Sequence, residues 1–303
     1  MEPIRNFQGL IERFKALPRR KRVIVACPRD EATEEVVERC LSEDLVDITL
    51  VTDNGISDRM KDWQARFPGH IDIIEAPDMD EAARLSVECI REGRGDVLMK
   101  GTINTDNLLR AILNKEHGLL PQGNVMSHVA VAEIPGYDRM LIYSDSAVIP
   151  EPSLEQFDAI LTHNTSLARR MGIEEPKVAL VHFTEKVNKK FQCTLDYEEL
   201  KSRAAAGRYG KIKIGGPMDI KTALDPHSGD VKGIHGQVNG DADVLLLPNL
   251  ECANTFYKTI ALFAGAKIAA LLIGTTAPVV SPSRADSFET KFNSLTLACV
   301  AGE

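Results

Sequence analysis

Several stretches of the chain place polar or charged side chains directly after an apolar run, where a strand would end. In the first, MKGTINTDNLLRAIL, a predicted strand runs into Gly101 and then into a helix that Asn104 or Thr105 would cap. Free N–H groups at a helix start attract anions, and Arg110 on the same helix supplies a charged donor. The stretch predicts a phosphate site, although an ordinary capped helix with a solvated arginine explains the same residues.

The second stretch, GTTAPVVSPSRADS at residues 274–287, follows the apolar run KIAALLIG and precedes the last predicted helix. In a functional interpretation, Arg284 faces a crevice and donates charge-assisted hydrogen bonds to a phosphate. In a structural interpretation, Ser283 and Asp286 have the spacing of a capping box and only satisfy backbone N–H groups. The spacing alone leaves both interpretations open.

Three further stretches carry polar residues at predicted strand ends: Ser127 and His128 in SHVAVAEI, Asp145 in YSDSA, and Asn254 in LPNLECANTFYK. A single histidine such as His128 is more often a hydrogen-bonded structural residue than a catalyst, and Asp145 can simply cap the segment that leaves the sheet. Ligands of open α/β sheets bind outside the carboxyl ends of the strands. Since all these stretches fall at such ends, we predict that they form one shared site.

The elements that must position these residues alternate along the chain, with β-branched runs between segments of helical spacing. The predicted strands lie at residues 21–27, 47–52, 70–75 and 96–100, and the predicted helices at 31–41, 57–66 and 78–91. Residues 124–133 and 140–143 predict an antiparallel hairpin. After Pro150 the pattern restarts with a helix at 154–171 and strands at 177–181, 243–247 and 267–273.

This alternation predicts an α/β fold of two α/β/α domains with mostly parallel sheets. We place an N-terminal domain at residues 1–146 and a C-terminal domain at 147–284. The last helix, predicted at 285–303, would pack back on the N-terminal domain.

Composition excludes several classes of protein. A net charge of −8 and only 5% aromatic residues disfavour binding to nucleic acid. The six cysteines include no C-x-x-C, which favours free, mostly buried thiols over a zinc site or disulfides. The chain has no apolar leader at its start, and Lys267 interrupts the longest apolar tract, so we expect a cytoplasmic protein without a membrane span. Neither G-x-G-x-x-G nor a P-loop is present.

Taken in order, LMKGTINTDNLLRAIL, SHVAVAEIPGYDRMLIYSDSA, PKVALV, DVLLLPNLECANTFYK and APVVSPSRADS resemble phosphate butyryltransferases. They are similar, more loosely, to phosphate acetyltransferases. The resemblance covers most of the chain from about residue 23 and is strongest at 97–147 and 242–294. It implies an isocitrate-dehydrogenase-like fold with an interdomain cleft, a homodimer, no metal and no cofactor other than the coenzyme A thioester used as substrate. The implied reaction is acyl-CoA + phosphate ⇌ acyl phosphate + CoA.

The resemblance also implies roles for individual residues. Ser283 and Arg284 fall where the family contacts the acyl phosphate, and Arg110 falls where a helix arginine binds phosphate. The acetyl-type enzymes carry an aspartate seven positions after the serine, but that position here is Thr290, which leaves Asp286 and Glu289 as candidate catalytic carboxylates. The expected phosphate- or CoA-binding residues are Arg110, Asn104, Thr105, Ser127, His128, Asp145 and Asn254.

Three alternatives to a butyryl-type enzyme remain open. A phosphate acetyltransferase would use the same site with a smaller acyl group. A dehydrogenase of the same fold is disfavoured because no aspartate cluster has the spacing of a metal site. A catalytically silent regulator that only binds acyl-CoA is disfavoured by the intact Ser283–Arg284 pair.

Overall fold

The computed structural model describes residues 2–234, 236–283 and 285–302. The strands are β1 (Lys21–Ala26), β2 (Val46–Thr52), β3 (Ile71–Glu75), β4 (Val97–Lys100), β5 (Ser127–Glu133), β6 (Leu141–Ser144), β7 (Lys177–Val181), β8 (Lys213–Met218), β9 (Val244–Leu246), β10 (Lys267–Ile273) and β11 (Val279–Val280). The helices are α1 (Phe7–Lys15), α2 (Glu31–Ser42), α3 (Asp58–Arg66), α4 (Met79–Arg91), α5 (Thr105–Ile112), α6 (Leu154–Arg170), α7 (Gln192–Ala205), α8 (Ile220–Leu224), α9 (Pro226–Lys232), α10 (Leu250–Phe263) and α11 (Phe288–Ala301).

Two compact units share these elements. The split unit contains Leu10–Met126 together with the chain from Ala269 onward. The middle unit contains Ser127–Ile268 together with the residues up to Gly9. The predicted boundary at residue 146 differs from this division, because β6 pairs with β9 and therefore keeps the hairpin in the middle unit.

The sheet of the split unit has the strand order β3-β2-β1-β4-β11-β10. Its strands are parallel except for β10, which pairs with β11 in the antiparallel sense at Leu272 and Val279. The central strands are buried on both faces, as their continuous apolar runs predict; Val23 and Leu98, for example, are fully buried. The carboxyl ends of β1, β2, β4 and β11 consequently lie at one edge of this sheet.

Helix α11 forms part of the core of the split unit. Every residue from Lys291 to Ala301 is buried, so this part of the helix is enclosed on all sides, its polar residues included. The helix packs against α2, β4 and β11. It begins at Phe288 rather than at residue 285 as predicted, because Ser287 and not Ser283 accepts the capping hydrogen bond, from the N–H of Thr290.

The sheet of the middle unit has the strand order β5-β6-β9-β7-β8. The predicted hairpin is confirmed, since β5 and β6 are antiparallel and pair Val131 with Ile142. The pairs β6–β9, β9–β7 and β7–β8 are parallel. Helix α6 covers this sheet and begins with a reciprocal capping box between Ser153 and Gln156.

The six cysteines are free thiols, as predicted, and four of them are buried: Cys27, Cys40, Cys89 and Cys299. Within residues 2–234, 236–283 and 285–302, no helix combines the length and the apolar character needed to cross a membrane.

Candidate active site

In the split unit, the turn after β4 is shaped by a close approach to the turn after β1. A Cβ atom on Gly101 would lie 2.3 Å from the carbonyl oxygen of Cys27, so only glycine fits. Thr102 then donates to the same carbonyl from its backbone N–H, at 2.8 Å, and from its hydroxyl, at 2.9 Å. These contacts fix the start of α5 at the carboxyl edge of the sheet.

Helix α5 begins where the sequence predicts. Asn104 is the N-cap residue, but its side chain does not make the capping hydrogen bond, and Thr105 is the first helical residue. Both side chains are exposed at the carboxyl edge. The helix start therefore keeps the form of an anion site, and the binding roles of Asn104 and Thr105 stay predictions.

Arg110 lies in the last turn of α5, about 7.5 Å along the axis from Thr105. Its side chain is 73% exposed, and one guanidinium nitrogen is 3.7 Å from Asp80 Oδ1. An exposed pair of this kind contributes little to stability and holds its arginine only weakly. Arg110 is therefore able to exchange Asp80 for a bound anion.

The second predicted stretch follows β11, which pairs Val280 with Met99 of β4 in parallel register. Ser283 and Asp286 form a turn of their own ahead of the helix. Asp286 Oδ2 accepts the N–H of Ser283 at 2.8 Å, and Ser283 Oγ accepts the N–H of Ala285 at 3.3 Å. The exposed Ser283 is thereby held at the same sheet edge as the start of α5. Arg284 lies outside the described residues.

Glu289, the other candidate carboxylate, lies exposed in the first turn of α11. Two positions further on, Lys291 is buried, with only 2% of its side chain exposed. Its ammonium group bonds the carboxylate of Asp30 and, at 3.1 Å, the hydroxyl of Thr33. Burial raises the pKa of Asp30, but the hydrogen bonds from Lys291 and Thr33 outweigh it and hold the pKa below its usual range.

Sequence reasoning missed this ion pair between Asp30 and Lys291. Asp30 caps α2 by accepting the N–H of Thr33 at 3.0 Å, so the pair joins the start of α2 to the first turns of α11. The available signal was a lysine at the start of the mostly apolar and small part of the last helix. A buried lysine requires a partner of opposite charge, and that partner lies far away in the sequence.

In the middle unit, Asp145 closes the turn that leaves β6. Its side chain is buried, and Oδ2 accepts the N–H of His128 at 2.9 Å. Its other oxygen accepts the N–H groups of Ala147, at 2.9 Å, and Val148, at 2.8 Å. Asp145 thus satisfies backbone donors, which is the capping role that the sequence left open.

The predicted residues around Asp145 take part in two separate sets of hydrogen bonds. Ser146 Oγ lies 3.0 Å from His128 Nδ1, and Asn254 donates from Nδ2 to the carbonyl of Ser146 at 3.0 Å. Ser127 Oγ lies 2.8 Å from His163 Nδ1. The structure therefore links His128, Asp145 and Asn254 in one network through Ser146, and it pairs Ser127 with His163. Sequence reasoning missed Ser146 and His163.

Both histidines, His128 and His163, are shifted toward the neutral form. Burial lowers the pKa of His128, against the opposing effect of Asp145. Burial also lowers the pKa of His163, again against Asp145. A neutral imidazole offers one donor and one acceptor, so each ring can bond a serine hydroxyl and retain one nitrogen for another partner.

No group of three or more histidine, cysteine, aspartate or glutamate side chains able to hold a metal ion occurs in the described part of the chain.

Comparison with known proteins gives concordant results. The family model of the phosphate acetyl/butaryl transferases matches residues 71–299. Phosphate butyryltransferase of Clostridium acetobutylicum is 37% identical over 302 residues, which cover 99% of both chains. Phosphate acetyltransferase of Thermotoga maritima is 36% identical over 285 residues, 92% of this chain and 95% of the relative. The crystal structure of a branched-chain phosphotransacylase from Enterococcus faecalis superposes with a TM-score of 0.82 at 27% identity, covering 93% of this chain and 99% of that one.

Proposed function

Because the chain belongs to the phosphate acetyl/butaryl transferase family, we propose that it transfers an acyl group between coenzyme A and inorganic phosphate. The observation that carries this function is the similarity to a phosphate butyryltransferase along 99% of both chains. The Ser283–Asp286 turn beside the start of α5 supports it with a local geometry suited to a phosphorylated substrate.

The acyl group is a short chain, with butyryl preferred to acetyl. The preference is supported by the SRADS and SHVAV sequences and by the butyryltransferase relatives. The comparable identity of the Thermotoga maritima phosphate acetyltransferase makes acetyl transfer the second candidate.

The reaction is direct acyl transfer. The thiolate sulfur of coenzyme A forms a bond to the carbonyl carbon of the acyl phosphate, the carbon–oxygen bond breaks, and phosphate leaves with the electron pair. Because an ordinary thiol has a pKa near about 8.5, the enzyme must supply a base or a positive field to favour the thiolate. Arg284 and Arg110 are proposed to hold the phosphoryl oxygens.

Ser283 is proposed to stabilise the tetrahedral oxyanion. Its Oγ accepts a hydrogen bond from Ala285, which leaves the hydroxyl hydrogen able to donate to the substrate. Asp286 orients Ser283 through the bond to its N–H group rather than acting as the base. Glu289 is then the candidate carboxylate base.

In the middle unit, Ser127 and His128 are proposed to contribute to binding phosphate or coenzyme A, while Asp145 and Asn254 stabilise the local backbone there. The chemistry needs no cofactor beyond the coenzyme A thioester and no metal. The enzyme is proposed to act in the cytoplasm as a homodimer, without a nucleic-acid or membrane partner.

The test is release of free thiol from butyryl-CoA and acetyl-CoA, each with and without phosphate. We expect phosphate-dependent release, with a higher kcat/KM for butyryl-CoA. Equal or better use of acetyl-CoA would make acetyl transfer the function. Reduction of a nicotinamide with hydroxy acids would instead indicate the dehydrogenase, and binding of acyl-CoA without turnover would indicate the silent regulator.

A further inference from the structure

A pocket of about 340 Å³ opens on the split unit between α4 and α5. From α4 it is lined by Arg84, Val87, Glu88 and Arg91, whose spacing of i, i+3, i+4 and i+7 places them on one face of the helix. The opposite wall comes from the end of α5 and the segment that follows it. The volume is sufficient for a small molecule, and none of these residues belongs to the predicted site.

The pocket is separate from the predicted phosphate site at the start of α5. This helix starts at the carboxyl edge of the sheet and, from Thr105 to Ile112, carries the chain about 10 Å along its axis. Arg110 lies 3.7 Å from Asp80 in the first turn of α4 and does not line the pocket. A ligand in the pocket would therefore be distinct from the substrate phosphate.

The two arginines of the pocket differ in their partners. Arg84 forms ion pairs with Glu81, at 2.7 Å, and with Glu88, at 3.3 Å. In the described part of the chain no carboxylate pairs with Arg91, which instead donates from a guanidinium nitrogen to His117 Nδ1 at 3.1 Å. Arg91 thus supplies an uncompensated positive charge in a chain whose net charge is −8.

Two further donors lie beside Arg91 in the lining of the pocket. Because a guanidinium can only donate, His117 Nδ1 accepts its hydrogen bond and the ring carries its hydrogen on Nε2. That nitrogen is 3.7 Å from Glu116 Oε2, an exposed contact that holds it only weakly. Asn114 Oδ1 accepts the N–H groups of Glu116 and His117, at 2.9 and 2.8 Å, so its amide Nδ2 is able to donate to a ligand.

The segment that carries these two donors is ordered by its own backbone. The N–H of Gly118 bonds the carbonyl of Asn114 at 2.9 Å, and the N–H of Leu119 bonds the carbonyl of Ile112 at 2.7 Å. A Cβ atom on Gly118 would lie 2.3 Å from the carbonyl oxygen of Ile112, so this turn requires glycine. The backbone of Asn114 and His117 is therefore held in place opposite α4.

The donors define the chemistry of the ligand. A phosphoryl group has an oxygen for each of the guanidinium, the imidazole and the amide, whereas a carboxylate has only two oxygens for the three groups. The apolar part of the lining comes from Val87, which is buried, and Ala111, which is half-buried. These side chains suit the carbon part of a phosphate ester.

We propose that this pocket binds a phosphoryl dianion, with Arg91 as the charged donor and His117 and Asn114 as the neutral donors. The dianion is either a small phosphate monoester or free inorganic phosphate. The proposal goes beyond the proposed acyl transfer, because it assigns a second phosphate site outside the predicted active site.

The first experiment is calorimetric titration with sn-glycerol 3-phosphate and with inorganic phosphate, in wild type, Arg91→Gln and Arg91→Lys. We expect Arg91→Gln to weaken binding about 10-fold, the scale for losing a hydrogen bond to a charged group. Arg91→Lys keeps the charge without the planar fork and should weaken binding less. The matched control is Arg94→Gln, at an exposed arginine that pairs with Glu92 outside the pocket and whose loss should leave binding unchanged.

The two probes distinguish the sources of the dianion. Binding that depends on Arg91 for sn-glycerol 3-phosphate alone identifies a phosphate ester, and equal binding of inorganic phosphate identifies free phosphate. The proposal is overturned if neither probe binds, if Arg91→Gln binds as wild type does, or if Arg94→Gln loses as much affinity as Arg91→Gln.

A third measurement locates the probe and separates this inference from the proposed function. The imidazole NMR signals of His117, assigned with His117→Gln, should shift on addition of sn-glycerol 3-phosphate, in Arg110→Ala as in wild type. Without the probe, Arg91→Gln should retain the wild-type kcat and KM for phosphate. Loss of the shift in Arg110→Ala, or a raised KM in Arg91→Gln, would place the probe in the predicted active site and refute the second site. The titrations stand even if no acyl transfer is detected.

Discussion

Asp286 and Ser283 form the part of the candidate site in which the role of a single residue can be tested most directly. The carboxylate of Asp286 accepts the N–H of Ser283 at 2.8 Å, so it shapes the turn that presents the serine hydroxyl. Asparagine at this position keeps an oxygen acceptor but loses the charge and the basicity, whereas alanine loses both. The two substitutions therefore separate orientation of Ser283 from proton transfer.

We expect Asp286→Asn to retain most of the wild-type kcat, because the turn survives. Asp286→Ala should lower kcat and destabilise the protein by about 0.5–1.5 kcal/mol, the scale for losing one hydrogen bond. The measurements are steady-state kinetics against pH and thermal unfolding. A drop of ~10²-fold in Asp286→Asn that recovers at high pH would identify Asp286 as the base instead, and the matched variant Glu289→Gln should then be nearly silent.

At the level of residues, the sequence predicted which polar side chains are neighbours better than it predicted their contacts. His128, Asp145 and Asn254 do lie in one network, because they belong to neighbouring strand ends and the helix that follows one of them. The function of Asp145 as an acceptor for three backbone N–H groups depends on the turn that follows β6, which no spacing encodes. His163 was missed because it lies inside α6, away from any strand end.

Among the elements, α2 and α11 are tied together by the buried pair of Asp30 and Lys291. Asp30 also caps α2, and asparagine is an equally good N-cap, so Asp30→Asn removes the charge while the cap survives. Breaking a buried pair by neutralising one partner costs about 3–5 kcal/mol, because the other charge stays buried. Asp30 retains 26% exposure, so we expect the lower end of this range.

The prediction is that Asp30→Asn is less stable by about 3 kcal/mol, and that the double variant with Lys291→Met recovers part of the loss. The lowered pKa of Asp30 also determines how this stabilisation depends on pH. A depressed carboxyl pKa stabilises the fold above the unfolded value of about 4, and this contribution is lost as pH falls through the folded value. In thermal unfolding measured between pH 3 and 7, the stability of wild type should thus fall more steeply with decreasing pH than that of Asp30→Asn. Parallel stability curves for the two proteins would contradict the prediction.

The periodicity of apolar residues identified most of the long helices and strands, but not the strands whose sequences lack such a pattern. Strand β8 contains Gly215, Gly216 and Pro217, which are unfavourable in strands. It forms because it pairs in parallel with β7, where Val178 lies opposite Ile214. Strand β11 has only two residues and exists through its pairing with β4. Such strands are specified by their neighbours in the sheet, which a local pattern does not contain.

For the whole molecule, the alternation of strands and helices was sufficient to predict the mixed α/β class. It was insufficient to place the boundary between units. The proline-rich segment after residue 146 resembles a linker, yet the hairpin before it belongs with the strands after it, since β6 pairs with β9. Pairing between strands distant in the sequence overrides a local change in composition.

The proposed homodimer gives a prediction for the whole molecule. Leu262 and Phe263 stand next to each other at the end of α10, and their side chains are 75% and 81% exposed. Neighbouring large apolar side chains that face water mark a surface for association. We expect light scattering to give twice the chain mass of 33.3 kDa, and Leu262→Ser/Phe263→Ser to shift the particle toward one chain at low protein concentration. The matched control is Leu113→Ser, which removes an exposed leucine of the split unit and should leave the mass unchanged. A wild-type mass of one chain would refute the dimer, while a dimer that persists in the double variant would place its interface elsewhere.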